Sequence, residues 1–257
     1  MAASGGLVFP FVVPQDIDVH APFWNDASFT HLLDCAPHLR GIRRFFPADL
    51  SQQVFPEQAR IERLWSSYKH RGYGHLFYGL VRHLRPQRCV ELGVLQGFSL
   101  LTVGAALRAN GVGRLEGFDL FEDYPYHHEP CARVTERIEQ FDLGRWVTIH
   151  RMDALEAHRH VDAEVDLLHV DLSNTGDTYR AVFERWADRV RGLILLEGGG
   201  AERDRVEWMI KYRKPAMAEA ITELRAHYQG WQIVVLEPYP SLTVAVRTPD
   251  TGGANHA

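Results

Sequence analysis

Five acidic residues, each at or just past the end of a short apolar run, are the first candidates for chemistry. They are Glu91 in RCVELGVLQGFS, Asp119 in RLEGFDLF, Asp153 after WVTIHRM, Asp171 in VDLLHVDL, and Glu197 ahead of three glycines. A carboxylate so placed can accept hydrogen bonds from sugar hydroxyls, take a proton as a general base, or help to hold a divalent cation. Beside Glu91 stand Gly93, Gly97 and Ser99. Glycine lets the backbone turn tightly and approach a ligand, and the free N–H groups of a helix opening at Phe98 or Ser99 favour a polar or anionic group. Strand, turn and helix together form a nucleotide-binding corner. Asp119 lies 26 residues beyond Gly93, near the place where nucleotide-binding α/β folds set an acid against ribose hydroxyls, although an Asp ending a strand is also a common turn former. Asp171 and Glu197 end two successive strands, the natural place for reaction chemistry. His127 and His128, in the polar loop EDYPYHHEP, are either further base candidates or plain exposed loop residues, and His169 reads as structural.

Spacing narrows the nucleotide. A dinucleotide fingerprint needs glycine where this chain has Leu95, and a phosphate loop's Gly-Lys-Ser/Thr ending is missing. VELGVLQGFS instead resembles the first motif of class I S-adenosylmethionine (SAM) dependent methyltransferases, as E-x-G-x-x-x-G-x-S. The resemblance implies that Glu91, Gly93, Gly97 and Ser99 lie against the amino-acid and ribose part of SAM, with Asp119 on the ribose. It also sets Asp153 against the adenine amino group; an N-cap role for that residue is equally physical. GFDLFEDYP and LLHVDLSNTGDTY look like the small-molecule O-methyltransferases of antibiotic tailoring, a branch that often holds magnesium after its fourth and fifth strands. Ser173-Asn174 and Glu197-Gly198 stand where that branch has its usual ligands, so magnesium is not favoured, and Asp171 and Glu197 are only weak metal candidates. The implied activity is methyl transfer from SAM to a hydroxyl of a secondary metabolite, with Asp171, His127 or His128 as base. A SAM-binding regulatory or scaffolding protein is the rival, and a dehydrogenase is disfavoured by Leu95.

The elements that must position these residues follow from the apolar pattern. Strands are expected at 88–92, 114–121, 146–152, 165–172 and 192–196, separated by helices at 98–110, 131–141, 154–161 and 178–190. A helix at 216–228 precedes two strands, 231–236 and 242–246, whose linker is too short for a crossover, so they pair antiparallel. The expected class is α/β, a Rossmann-like seven-stranded sheet with helices on both faces and an N-terminal arm. The resemblance implies the order 3-2-1-4-5-7-6. Ahead of the sheet, Ile61, Leu64, Trp65 and Tyr68 step at helical spacing, and the pattern resumes after Gly72 and Gly74, so two helices joined at a kink are expected. Residues 1–58 read as an irregular arm or lid with one short helix near Phe29 to His38; its aromatics either cover the main domain or make a dimer contact. Residues 59–247 form the SAM-binding domain and 248–257 a disordered tail.

Composition limits the partners. A net charge of −5, with no basic block, speaks against nucleic acid. Three well-separated cysteines make neither a disulfide framework nor a zinc spacing, which suits the cytoplasm. The apolar run Leu7 to Val13 is broken by Pro10 and does not read as a signal peptide, and no window approaches a membrane span. A small-molecule substrate is the expected partner, with a homo-oligomer left open.

Overall fold

The computed structural model describes residue 18 and residues 20–248. The run at 7–13 and residues 249–257 of the tail lie outside that range. In chain order the elements are α1 (Ala27–Cys35), α2 (Gln58–Ile61), α3 (Tyr73–Leu84), β1 (Arg88–Leu92), α4 (Phe98–Asn110), β2 (Arg114–Asp119), α5 (Cys131–Gln140) and β3 (Val147–Arg151). They continue with β4 (Val165–Val170), α6 (Gly176–Trp186), β5 (Val190–Glu197), α7 (Glu207–Lys211), α8 (Met217–His227), β6 (Trp231–Leu236) and β7 (Leu242–Arg247). The sheet order is β3-β2-β1-β4-β5-β7-β6, with β7 antiparallel to both neighbours and the other pairings parallel. This is the doubly wound arrangement implied by the sequence.

Alternation along the central strands divides the core between the two faces of the sheet. Cys89, Leu167, Leu193 and Leu195 pack with α3, α4 and the N-terminal helices, while Val90, Leu168, Ile194 and Leu196 pack with α6 and α8. Because both faces are covered, the strands read as nearly continuous apolar runs. The segment treated as an arm contributes Phe23, Phe29, Leu32, Leu39 and Ile42 to the same cluster as Tyr73 and Phe77 of α3. Arg71 straps it in place, donating from Nε to the Ala21 carbonyl (3.1 Å), from Nη2 to Asp26 (2.5 Å) and from Nη1 to the Pro238 carbonyl (3.4 Å).

Several boundaries differ from the sequence pattern. The helix expected through Ile61, Leu64 and Tyr68 stops at Ile61, and a 3-10 turn follows at Ser67–Gly72. At the end of that turn Arg71 (φ 58°) and Gly72 (φ 82°) are left-handed, which separates it from α3. Residues 154–159 are also 3-10 rather than α-helical. The short α1 is followed by a 3-10 stretch at Pro37–Phe45.

Candidate active site

The carboxyl edge of β1, β2, β4 and β5 brings four of the five acids together. At the end of β1, Glu91 is wholly buried and accepts a hydrogen bond from Ser99 Oγ at 2.6 Å. The chain then turns through Gly93 (φ 88°), Leu95 (φ 48°) and Gly97 (φ 87°) into α4. The two glycines serve different needs. A Cβ on Gly93 would stand 2.1 Å from the Asp171 carbonyl oxygen, so this glycine lets the ends of β1 and β4 close on one another. A Cβ on Gly97 would meet nothing nearer than 3.7 Å; there the requirement is the left-handed backbone alone.

Asp119 is welded to this turn. Its Oδ2 accepts from the Val94 and Leu95 amides at 2.7 and 3.0 Å, and its Oδ1 from the Phe121 amide at 2.7 Å. The sequence alone presents the turn and the acid as two signals; in the fold they are one unit. Asp153 is exposed beyond β3, and its Oδ1 accepts from the Leu155 amide at 2.9 Å as an N-cap. Among the described residues its other oxygen makes no such bond.

On the acceptor side, Asp171 follows β4, and its amide donates to the Leu92 carbonyl at 2.8 Å. Burial, and then the nearby charge of Glu197, push its carboxyl up to about 7, while His169 and Arg203 pull the other way. A carboxyl with that affinity for protons is suited to general-base work near neutrality. Glu197, one of the two weak metal candidates, is engaged by an arginine. Both of its oxygens are taken by Arg203, from Nε at 2.7 Å and Nη2 at 2.8 Å, in a pair buried on both sides. Asn174 donates to the Val170 and Glu197 carbonyls, tying β4 to β5. Among the described residues no group of three or more His, Cys, Asp or Glu side chains gathers to hold a metal. With Glu197 held by Arg203 and Asn174 by backbone carbonyls, the residues present do not fit magnesium.

The two loop histidines stand further out. His127 is exposed and meets the Trp65 ring edge-on at 5.6 Å, while Nδ1 of His128 lies 2.8 Å from the Tyr126 carbonyl oxygen. Among the described residues neither has a hydrogen bond to Asp171 or the glycine turn. Their loop is nevertheless braced: Arg151 grips Asp123 at 2.7 and 2.9 Å and also binds Glu122, and Arg137 joins Glu129 to the Gln96 carbonyl. Sequence reasoning missed Tyr124, whose hydroxyl reaches Ser173 Oγ at 3.2 Å and so spans the loops after β2 and β4. Tyr68, which the sequence places near the kink and within reach of the cofactor corner or else in the core, is a fully buried side chain whose hydroxyl lies 3.3 Å from His169 Nε2.

Comparison with known proteins matches the same region. A methyltransferase-domain family model covers residues 90–196, from β1 to the end of β5. No curated protein matches. A Podospora anserina methyltransferase solved with S-adenosylhomocysteine (SAH) bound is 16% identical, with 87% of this chain and 89% of that one covered and a TM-score of 0.54. TomG, a Streptomyces achromogenes O-methyltransferase involved in tomaymycin synthesis and solved with SAM, is 16% identical over 87% and 91%, at 0.52. A Bacillus cereus O-methyltransferase solved with SAH is 18% identical over 85% and 96%, at 0.57. At these identities the likeness is one of fold. No described helix is long and apolar enough to cross a membrane.

Proposed function

We infer, for a chain with the class I methyltransferase fold built around a matched methyltransferase domain, that its carboxyl-edge site transfers a methyl group from SAM to a hydroxyl of a small molecule. The observation that carries this reading is the joining of Asp119 to the Val94 and Leu95 amides of the turn between Gly93 and Gly97, which makes the ribose-acid candidate and the glycine-hinged turn one rigid unit. The residues fit such a cofactor: among the described residues Glu91 Oε2 is buried without a hydrogen-bond partner, beside the Gly93–Gly97 turn. When bound, SAM supplies an electrophilic methyl group on a positively charged sulfur. Glu91, Gly93, Gly97 and Ser99 hold its amino-acid end, Asp119 its ribose and Asp153 its adenine. Asp171 accepts the proton of the acceptor hydroxyl at its carboxylate, and the Glu197–Arg203 pair fixes the neighbouring strand end. Orientation and proton removal are the protein's main contributions to an in-line displacement. The O-methyltransferases among the structural neighbours, TomG in particular, support an oxygen acceptor on a secondary metabolite.

Calorimetry with SAM, SAH and NAD is the direct test, followed by mass spectrometry for an acceptor heavier by one CH2 unit. Binding of SAM and SAH is expected, and turnover should survive EDTA because Glu197 is committed to Arg203. Binding of NAD in their place would overturn the reading. Tight SAM binding with no methylated product from any extract would favour a scaffolding protein.

A further inference from the structure

Behind the glycine turn runs a buried polar chain that the assigned roles leave unexplained. His169 of β4 stands beside Glu91 of β1 in register, with its Nδ1 3.7 Å from Glu91 Oε1. Its Nε2 lies 3.3 Å from the Tyr68 hydroxyl. The three residues are at most 1% exposed. Among the described residues Glu91 Oε2 and His169 Nδ1 both lack a hydrogen-bond partner, a costly state for buried polar atoms. The Tyr68 and Phe77 rings pack on the imidazole at 5.7 and 5.0 Å and fix its plane.

The tautomer follows from the neighbours. A lone pair on Nδ1 would face a carboxylate in a dry interior, so the proton belongs on Nδ1, and Nε2 accepts from the Tyr68 hydroxyl. Burial, and then the charges of Asp171, Glu197 and Glu91 together with Tyr179, hold that phenol protonated, well above the ordinary tyrosine range. Ser99 and His169 therefore approach the same oxygen of Glu91. The second oxygen has no donor among the described residues.

We propose that His169 and Tyr68 are positioning residues for the amino-acid end of the cofactor: Tyr68 sets the His169 tautomer, and His169 with Ser99 holds Glu91 so that Oε2 meets an ammonium group. The proposal rests on the SAM reading above and adds two residues to it. Calorimetry of the full chain should compare SAH with 5′-deoxy-5′-methylthioadenosine, which keeps the adenosine and sulfur but lacks the amino-acid arm. His169→Leu should weaken SAH about tenfold or more while changing methylthioadenosine by less than about twofold. His169→Gln, which restores a donor, should recover part of the loss, and Tyr68→Phe should weaken SAH alone by a few-fold. These two near-isosteric variants carry the comparison should His169→Leu not fold. Equal losses for both ligands, or no loss for either, would overturn the positioning role and leave the SAM reading standing. A wild-type chain that binds neither ligand would bring down both.

Discussion

Asp171 is under two opposed demands. Burial and the Glu197 charge raise its folded-state affinity for a proton to a pKa of about 7, against about 3.9 for an unperturbed aspartate. The folded chain thus binds this proton more tightly than the unfolded chain. The stabilisation is complete below about pH 4 and is lost as pH rises through about 7. Chemistry needs the opposite form, since only the carboxylate accepts a proton. Methyl transfer should accordingly rise with pH through about 7 and then level off. Asp171→Asn should lower turnover much more than SAM affinity. The same variant should melt higher than wild type at pH 8, with a smaller difference at pH 5. A flat pH–rate profile, or an Asn variant that melts lower at pH 8, would remove Asp171 from the role of base.

Among the elements, the β1 to α4 turn separates the two glycines by mechanism. Gly93→Ala forces a left-handed backbone and a Cβ against the Asp171 carbonyl, whereas Gly97→Ala incurs the backbone term alone, about 1–2 kcal/mol. Urea unfolding without ligand should find Gly93→Ala the more damaging; equal losses would contradict the close approach. Residues larger than alanine at Gly93 would likewise press on the Asp171 carbonyl and disturb the end of β4. Asp119→Ala removes a charged acceptor from three amides and should cost about 1.5–3 kcal/mol with no ligand present. An unchanged urea midpoint would show that the turn holds itself. The corner was legible in the sequence because strand, glycine and helix signals lie within a dozen residues. The helix drawn through Tyr68 was not, since the chain leaves regular helix after Ile61 with neither Gly nor Pro to mark the stop, and Ser66 is extended. The Glu197–Arg203 pair escaped for another reason: a glycine turn folds the chain back on itself, and no periodic pattern records such a meeting. The contact of Tyr68 with His169 joins residues 101 apart, beyond the reach of any local rule.

At the scale of the molecule, residues 23–42 are part of the core, and Arg71 binds them to the chain's last hairpin. A chain starting at residue 62 should therefore fail to give a cooperative melt, because Tyr73 and Phe77 would lose their covering of Phe23 and Phe29. A sharp transition from that fragment would make residues 62–248 a domain in their own right. Ser28 adds a further tie, donating to the Glu237 carbonyl at 3.0 Å and accepting from its amide at 3.1 Å across 209 residues of sequence. On a translating ribosome, at roughly 5–20 residues per second, Ser28 waits about 10–40 s for Glu237 to be made. Throughout that interval the aromatic flank around Phe23 and Phe29 has no closing partner on the β6–β7 side, so the nascent chain presents it to the chaperones of the cell.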